Sequence, residues 1–341
     1  MANSTNPTLP TETHSKTELD AFDQEIAQYS VQGHWKMGLP ANAEPRSRLQ
    51  PMLWKWSLLR EQLMRSSRLI TANEAGRRTI QLLNPGLEPR KSTTHTLQMS
   101  LQLVMPGEVA TAHRHTMAAI RFVIEGGGTF TTVDGDSFLM EPGDLILTPN
   151  WTWHDHINKS NAPIIWIDGL DVPFCQVMDV MFIEEYEKPR QAVQRVFQSS
   201  ANSIVAADGS PWYYKWREAE QRLKKLGEGS GPGELVLEYK SKGGGPTLPT
   251  IACGVEMLRP GERTKTRRHT ASGVFHVLRG HGKSVVGDTT LEWERGDCFV
   301  VPNWSWHRQE NRSLDEEAIL FFMSDRPLLE PFGLYREEFR S

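Results

Sequence analysis

Residues 105–128 read MPGEVATAHRHTMAAIRFVIEGGG, and residues 259–282 read RPGERTKTRRHTASGVFHVLRGHG. In this alignment Pro106 matches Pro260, an offset of 154 residues. Further along, EPGDLILTPNWTWHDHIN at 141–158 matches ERGDCFVVPNWSWHRQEN at 294–311, now with an offset of 153. The second copy therefore has one residue fewer in the turn between the two segments. Identities at matched spacing in two segments indicate an internal repeat of one domain.

The repeated region consists of short apolar or alternating runs that are separated by glycine and proline turns. In the first copy these runs are TIQLLNPG, TLQMSLQLVMPGE, AIRFVIEGGG, TFTTVDGD, DLILTPNW and APIIWIDGL. Closely spaced strands of this kind predict a β-sandwich or a β-barrel. We therefore predict an all-β protein with two antiparallel β-barrel domains, at residues 77–185 and 246–341.

Segments outside the repeat have helical features. TELDAFDQEIAQYS opens with a threonine cap candidate, Thr17, and acidic residues, while PMLWKWSLLREQLMRSSRLI at 51–70 has apolar residues at helical spacing. SPWYYKWREAEQRLKKL, between the two barrels, predicts a polar connecting helix. We predict a disordered N-terminus over residues 1–18, a helical region over 19–76 and a helical linker over 186–245.

The composition narrows the class of protein. The chain has 341 residues, 38% of them hydrophobic, and a net charge of −4, which gives no basic footprint for nucleic acid. No apolar run approaches the roughly 20 residues of a membrane span, and no apolar leader is visible. The three cysteines, Cys175, Cys253 and Cys298, form no C-x-x-C pattern, which fits a reducing compartment. We expect a cytoplasmic protein with neither nucleic-acid nor membrane partners.

Histidines in the first copy have the spacing of metal ligands. His113 and His115 are one residue apart, and residues i and i+2 of a strand share a face, so both point into the barrel. His154, from a distant strand, would complete the set. Three imidazoles suit iron, copper, zinc or nickel. The sequence thus predicts a metal site in the first barrel.

The wider pattern resembles known families. Gly107-x5-His113-x-His115 followed by Gly143-x5-Pro149-x-Trp151-x2-His154 resembles the two motifs of the cupin superfamily, which implies a bicupin of jelly-roll-like barrels. The same region, with LWKWSLLREQL, RRTIQLLNPGL and WIDGLDVPF, resembles gentisate 1,2-dioxygenase and its relatives, the salicylate and 1-hydroxy-2-naphthoate dioxygenases. That resemblance implies one Fe(II) per chain in the first domain, and a homo-oligomer, commonly a tetramer. It also implies cleavage of the ring between the carboxyl- and hydroxyl-bearing carbons, which for gentisate gives maleylpyruvate.

The fourth ligand of many cupins is missing. Ala119 or Ile120 occupies the position where those proteins have a glutamate, and neither side chain binds metal. Three neutral ligands leave about three of six octahedral positions open and the charge of a divalent ion uncompensated. A small aromatic acid with a carboxylate beside a phenolate would neutralise that charge and fill two positions, and O2 would take the last.

Three polar residues are candidate catalytic groups. Arg121 has the strand parity of the metal histidines, so its guanidinium is expected to grip the substrate carboxylate. His156, two residues after His154, is expected to hydrogen-bond the substrate or an oxygen species, or to transfer a proton. Asp168 would orient His156 or an arginine.

Further substrate-binding residues are implied by the resemblance. Gln102 and Arg77 match family positions that line the pocket, with Arg78 as a rival for Arg77 because the two point to opposite faces. Ser100 and Gln98 stand where relatives usually have a small residue and an aromatic residue. Both would lie beside the far side of the ring, where a 5-hydroxyl or a 5-nitro group would find polar partners.

The second copy has Arg267, His269 and His307 at the positions of the three metal histidines. A guanidinium cannot coordinate a metal and would repel a divalent ion. We therefore expect no metal in the second barrel and a structural role for it.

The leading hypothesis is a gentisate-cleaving dioxygenase. The closest alternative is a salicylate-type enzyme for salicylate or a 5-substituted salicylate, which turnover of salicylate would distinguish. A metal-dependent cupin isomerase acting on sugars would consume no oxygen. A storage or ligand-sensing bicupin commonly loses its metal histidines, whereas the first copy keeps all three.

Overall fold

The computed structural model describes residues 15–38, 43–197, 212–231 and 233–340, and the chain divides into two compact units, residues 1–45 and 46–341. The first unit contains α1 (Lys16–Ala27) and a 3₁₀ turn over His34–Lys36. Ser15 caps α1, since its hydroxyl accepts the N–H of Glu18 while the Glu18 carboxylate accepts the N–H of Ser15. The predicted cap at Thr17 is wrong, because this reciprocal pair starts the helix one residue before Lys16. Most of the segment predicted as disordered lies outside the described residues.

The second unit contains the remaining elements. Its helices are α2 (Trp56–Leu69), α3 (Ala72–Ala75), α4 (Val172–Val177), α5 (Trp216–Gly227) and α6 (Arg326–Leu329), with 3₁₀ turns over Pro85–Leu87 and Glu330–Phe332. Its strands are β1 (Met52–Trp54), β2 (Thr79–Gln81), β3 (Gln98–Val104), β4 (Val109–His115), β5 (Ala119–Glu125), β6 (Thr129–Val133), β7 (Asp136–Met140), β8 (Leu145–Thr148), β9 (His154–Asn158), β10 (Ile164–Leu170), β11 (Ile183–Glu185), β12 (Arg195–Phe197), β13 (Tyr213–Tyr214), β14 (Leu235–Tyr239), β15 (Ala252–Leu258), β16 (Thr266–His269), β17 (Gly273–Arg279), β18 (His281–Val286), β19 (Thr289–Glu294), β20 (Cys298–Val301), β21 (His307–Asn311), β22 (Ala318–Ser324) and β23 (Glu337–Arg340).

The strands form two barrels of two sheets each. The first barrel joins the sheets β13-β8-β5-β10-β3-β2 and β11-β4-β9-β6-β7-β12, and the second joins β1-β20-β17-β22-β15-β14 and β19-β18-β21-β16-β23. All pairings are antiparallel except that of β12 with β7. The predicted all-β bicupin architecture is confirmed. Among the described residues, no helix is both long and apolar enough to cross a bilayer.

The segments before α2 and α5 are strands rather than helix. Residues 52–54 form β1 and pair with β20 of the second barrel, and residues 213–214 form β13 and pair with β8 of the first. The prediction of one helix over 51–70 is therefore wrong at its start, because Met52 and Leu53 lie on a strand and α2 begins at Trp56. The predicted helical region over 19–76 thus also supplies a strand to the distant barrel.

The starts of α2 and α5 are built alike, and each is held by one barrel. Asp297 accepts the N–H of Trp56 at 2.8 Å and the ammonium of Lys55 at 2.8 Å. Asp144 does the same for the N–H of Trp216, at 3.0 Å, and the ammonium of Lys215, at 2.7 Å. A carboxylate at a helix N-terminus satisfies free N–H groups and complements the helix dipole. The duplication therefore extends beyond the barrels. A short strand, a lysine and a helix that begins with tryptophan precede each barrel, and we call each of these segments an arm.

Glycines let the two tryptophans lie directly on the barrels. A Cβ on Gly296 would come within 2.5 Å of the Trp56 ring, and a Cβ on Gly143 within 2.5 Å of the Trp216 ring. Both glycines also have positive φ angles, +94° and +86°, which favour glycine in any case. The R-G-D and P-G-D turns of the repeat are thus docking points for the arms.

Each helix also forms an ion pair with the barrel that does not hold its start. Arg60 of α2 binds Glu125 of the first barrel through two bonds, of 2.6 and 2.7 Å, and Glu220 of α5 binds Arg279 of the second at 2.8 Å. Glu125 and Arg279 are equivalent in the repeat, so the polarity is reversed. An exchange of the two helices would bring like charges together, which disfavours the wrong pairing.

The barrels share one apolar core. Phe122 of the first barrel stacks on Phe321 of the second, with ring centroids 4.0 Å apart and planes inclined by 15°. Gly169 lies against Met323 so closely that a Cβ would meet the sulfur at 2.5 Å. Packing of this density leaves little room for relative movement of the two barrels.

We expect Asp297→Ala to lower the free energy of unfolding by about 2 kcal/mol, because it removes a buried carboxylate that pairs with Lys55 and caps α2. Glu294→Ala is the control, since that exposed side chain lies 3.9 Å from the same ammonium and an exposed pair contributes less than about 1 kcal/mol. Urea unfolding measures both. Equal losses would contradict a specific role for the cap.

Candidate metal centre

Three histidines of the first barrel converge on one point. His113 and His115 lie on β4, and His154 begins β9 directly opposite His113 in the register of the two strands. Their ring centroids are 4.3 to 5.3 Å apart, and one nitrogen from each ring lies within 4.8 Å of the others. The described residues contain no other group of three histidine, cysteine, aspartate or glutamate side chains with this geometry.

Backbone carbonyls two residues away fix the orientation of each ring. Nδ1 lies 3.0 Å from the carbonyl oxygen of Thr111 in His113 and 2.8 Å from that of Met117 in His115. In His154 the partner is the carbonyl of Thr152, at 3.0 Å. A carbonyl only accepts, so in His115 and His154 Nδ1 carries the proton and the lone pair resides on Nε2; His113 has the same tautomer when its Nδ1 bonds the carbonyl and not Arg77. This is the tautomer in which histidine coordinates a metal through Nε2.

The free nitrogens fit a metal ion. Nε2 of His154 is buried and has no hydrogen-bond partner, an arrangement that needs an explanation in a protein interior. Burial lowers the pKa of His113 to about 3 and that of His115 to about 4, and it lowers the pKa of His154 well below its usual range. All three rings are therefore neutral ligands at physiological pH, and three imidazoles suit a late first-row divalent metal.

Arg77 competes for one of these rings. Its Nη2 lies 2.6 Å from Nδ1 of His113 and 2.8 Å from the carbonyl oxygen of Thr111. A guanidinium only donates, so it cannot bond Nδ1 while Nδ1–H donates to the carbonyl. Coordination through Nε2 therefore requires Arg77 to turn away from His113. Arg78, the rival in the sequence, instead pairs with Glu108 at 2.7 Å and is buried outside this cluster.

Arg121 and Asp168 form a buried pair beside the histidines. They are opposite each other in the register of β5 and β10, with Nε 3.4 Å from the carboxylate. Arg121 also donates to the hydroxyl of Thr148 at 2.7 Å, and Asp168 accepts the indole N–H of Trp166 at 2.9 Å. Burial raises the pKa of Asp168 and lowers that of Arg121. Nε of Arg121 faces the Asp168 carboxylate but makes no hydrogen bond of good geometry.

His156 lies deeper in the same barrel. Its Nδ1 is 2.8 Å from the hydroxyl of Thr131, and its Nε2 is buried without a partner. Burial lowers the pKa of His156 well below its usual value. Asp168 contacts Arg121 rather than His156, so of the two partners that the sequence left open for Asp168, the structure brings it to the arginine.

The three candidates on β3 have different surroundings. Ser100 is opposite Asp168, and Gln102 is opposite Trp166 of β10 and Thr79 of β2; both are buried. Gln98 instead donates from Nε2 to the carbonyls of Leu82 and Met99 and to the hydroxyl of Thr93. Its amide nitrogen is therefore already occupied, which argues against the predicted contact of that group with a ring substituent.

The electrostatic balance of the cluster is positive. Two guanidiniums, of Arg77 and Arg121, lie with neutral imidazoles around the carboxylate of Asp168, while the exposed Glu185 and Asp155, which pairs with Arg190, also act on Arg77. Without these two outer carboxylates the cluster has a net charge of +1, and a divalent ion would raise it to +3. In a buried site such an excess favours an anionic ligand.

The second barrel retains two of the three histidines in the same arrangement. His269 and His307 have centroids 5.2 Å apart and planes inclined by 82°, against 4.8 Å and 76° for His115 and His154. Their Nδ1 atoms contact the carbonyls of Ala271 and Ser305 at 2.8 and 2.9 Å. Arg267 takes the position of His113, opposite His307.

Other polar groups of the first barrel are not repeated in the second. Arg267 pairs with Glu256 and Glu234 at 3.3 and 3.2 Å, and burial raises the pKa of Glu256 to about 7. Phe275 and Phe322 occupy the positions of Arg121 and Asp168. The second barrel therefore has neither the third imidazole nor the pair that would hold an acid.

Two threonines that contact the candidate catalytic groups were missed in the sequence. Thr131 bonds His156, and Thr148 bonds Arg121. Both are ordinary strand residues, and only their alternation with the histidines could have placed them inside the barrel.

We expect purified protein to bind one equivalent of Co(II), a substitute for other divalent ions, and His115→Ala to abolish this binding because it removes one of three ligands. His269→Ala, its equivalent in the second barrel, is the control and should still bind one equivalent. Visible absorption and metal analysis measure both variants. Loss of metal from His269→Ala, but not from His115→Ala, would show that the metal site lies in the second barrel and that the assignment to the first is wrong.

The comparisons with known proteins agree with this geometry. The cupin domain family matches residues 100–172 and 254–323, which are the cores of the two barrels. Gentisate 1,2 dioxygenase 1 of Aquipseudomonas alcaligenes is 39% identical over 336 residues, covering 94% of this chain and 96% of that protein. The 5-aminosalicylate 1,2-dioxygenase of a Comamonas species is 36% identical and covers 95% and 91%.

A solved structure of similar fold is that of salicylate 1,2-dioxygenase from Pseudoaminobacter salicylatoxidans in adducts with gentisate, with a TM-score of 0.86 and 31% identity. The likeness covers 99% of this chain and 97% of that one. Sequence, fold and the three-histidine site agree: the chain belongs to the gentisate 1,2-dioxygenase family of bicupin, ring-cleaving 1,2-dioxygenases.

Proposed function

We propose that this enzyme is an Fe(II)-dependent dioxygenase that opens the ring of gentisate between its carboxyl- and hydroxyl-bearing carbons. Both atoms of dioxygen enter the product, maleylpyruvate, and no other reductant is needed. The observation that carries the proposal is the partnerless Nε2 of His154 beside two other neutral imidazoles, in a buried cluster of positive charge. Iron held by His113, His115 and His154 would supply open coordination positions and the redox chemistry that activates dioxygen.

The side chains around the histidines suit an aromatic ortho-hydroxy acid. The guanidinium of Arg121 would bind the substrate carboxylate, and the 3.4 Å contact between its Nε and Asp168 holds it in place. Arg77, once it leaves His113, provides a second donor for the same anion. The two arginines thus select and orient the acid without contacting its reacting carbons.

His156 is suited to handle the substrate hydroxyl. Its Nε2 is buried and has no hydrogen-bond partner, and its ring centroid lies 6.1 Å from that of His154. Thr131, on the other ring nitrogen, holds the imidazole in this orientation. In the proposed complex, Nε2 accepts a hydrogen bond from the phenol, which favours the phenolate beside the carboxylate. Gln102, buried on β3, would line the same pocket.

The second candidate is a salicylate or 5-substituted salicylate as substrate. It is favoured by the relatives, since one with nearly the same identity to this chain is named for 5-aminosalicylate and a solved relative for salicylate. Ser100, buried opposite Asp168, is our candidate for the residue next to the ring substituent. Its hydroxyl is a hydrogen-bond partner for a 5-hydroxyl group and equally for a 5-amino group.

We predict that protein loaded anaerobically with Fe(II) consumes one O2 per gentisate when air is admitted, with a new ultraviolet absorbance from the opened ring. Salicylate and 5-aminosalicylate, run in parallel, test the second candidate. A 3-hydroxybenzoate control should give no uptake, because its hydroxyl is not adjacent to the carboxylate. Absence of uptake with every ortho-hydroxy acid, in protein that holds iron, would refute the proposal.

We expect Arg121→Gln to raise KM for the aromatic acid about 10- to 100-fold, because a charge-assisted bond of roughly 1.5–3 kcal/mol is lost. Since this variant leaves Asp168 unpaired, the double variant Arg121→Gln with Asp168→Asn controls for a buried lone carboxyl. Steady-state oxygen uptake gives KM, and Co(II) titration checks that the metal site is intact. An unchanged KM in both variants would exclude Arg121 as the carboxylate-binding residue.

The resemblance also implies assembly into a homo-oligomer, commonly a tetramer. This remains a proposal that light scattering of the purified protein would test.

A further inference from the structure

Two equivalent hydrogen bonds connect the barrels in opposite directions. Thr250 of the second barrel donates to Oδ2 of Asp171 in the first at 2.6 Å, and Thr96 of the first barrel donates to Oδ2 of Asp325 in the second at 2.6 Å. Thr96 and Thr250 are 154 residues apart, as are Asp171 and Asp325, so the repeat relates the two bonds. Both carboxylates are buried.

Asp171 leads from this bond directly to a metal histidine. Its other oxygen, Oδ1, accepts the N–H of Ala118 at 2.8 Å. That N–H belongs to the same peptide group as the carbonyl of Met117, whose oxygen lies 2.8 Å from Nδ1 of His115. One peptide unit is therefore held between a carboxylate on its N–H side and an imidazole on its C=O side.

Such an arrangement strengthens the imidazole as a ligand. A carboxylate that accepts from an amide N–H polarises the peptide, and the carbonyl then becomes a better acceptor. A stronger bond to Nδ1–H fixes the ring orientation and makes Nε2 more basic toward a metal. The peptide of Met117 thus transmits to His115 the position and charge of Asp171.

We propose that Thr250 is a positioning residue for the metal ligand His115, so that the second barrel contributes to the centre in the first. The inference rests on the proposed metal site, and not on the identity of the substrate. Asp171 also immediately follows β10, which carries Asp168, and Ala118 immediately precedes β5, which carries Arg121. The same hydrogen bonds, from Thr250 to Asp171 and from Ala118 to Asp171, therefore set the spacing of the substrate-binding pair relative to the histidines.

The equivalent hydrogen bonds around Asp325 in the second barrel supply the matched control. Asp325 accepts the N–H of Ser272 at 2.8 Å, and the Ala271 carbonyl lies 2.8 Å from Nδ1 of His269. The geometry is thus repeated around a histidine of a barrel in which Arg267 replaces one ligand. Two differences matter: Asp325 also accepts the Ser272 hydroxyl at 2.9 Å, where alanine stands at position 118, and Asp171 also accepts the Cys175 thiol at 3.7 Å, where leucine stands at position 329.

The test compares Thr250→Val with Thr96→Val, and with the double variant Thr96→Val and Ser272→Ala. Each removes hydroxyl donors from a buried inter-barrel carboxylate. Loss of a group that supports a metal ligand typically costs 10- to 100-fold in affinity, and Thr250 acts one bond further away, so we expect about a fivefold weaker affinity for Co(II) in Thr250→Val. Both controls should change the affinity less than about twofold, while all three variants lower the unfolding temperature of the apoprotein.

Thr250→Ser, which keeps the hydroxyl, should restore Co(II) affinity to within about twofold of the original protein. If Thr250→Val does not fold, Asp171→Asn and its equivalent Asp325→Asn give the same comparison, because each keeps an acceptor oxygen but loses the charge. Equal weakening in both members of a pair, or unchanged affinity in a destabilised Thr250→Val, would overturn the proposal. The titration uses Co(II) alone without acid or dioxygen, so an error about the reaction would not affect it.

Discussion

The candidate site depends on one kind of hydrogen bond, from Nδ1 of a histidine to a backbone carbonyl two residues away. His115 and His154 make this bond, and His113 makes it once Arg77 leaves its Nδ1, so that the Nε2 lone pairs converge although the side chains come from two strands. The backbone of β4 and β9 sets the three carbonyls, and the barrel sets the two strands. Ligand geometry is thus a property of the sheet and requires no fourth protein ligand to hold it.

Each barrel in turn binds the strand and helix that precede the other barrel in the chain. The arm before the first barrel docks on the second through Asp297, and the arm between the barrels docks on the first through Asp144. The opposite polarity of the Arg60–Glu125 and Glu220–Arg279 pairs distinguishes two otherwise similar helices. The second barrel, which lacks the complete histidine set, thus supplies the turn and the strand on which the arm before the first barrel packs.

The sequence predicted what alternation along one strand can specify. The positions of His113, His115 and Arg121 inside the barrel follow from their parity, and the repeat gave the bicupin architecture. The sequence-based prediction failed where a contact depends on a distant segment. β1 pairs with a strand almost 250 residues away, and the composition of β1 alone resembles that of the helix that follows it. Gln98 has the parity of Ser100 and Gln102, but Leu82 and Thr93, outside the strands, accept from its amide nitrogen, and no strand pattern reveals these contacts.

The second barrel shows how closely metal and substrate functions are coupled in this fold. Where His113 is replaced by Arg267, the cation is internal and is balanced by Glu256, at the position of Gln102. In that copy Phe275 and Phe322 stand at the positions of Arg121 and Asp168. The polar pair and the third imidazole are absent together, as expected if each was useful only in the presence of the other. The first barrel keeps all of them, and its excess positive charge is therefore that of a site built for an anionic ligand.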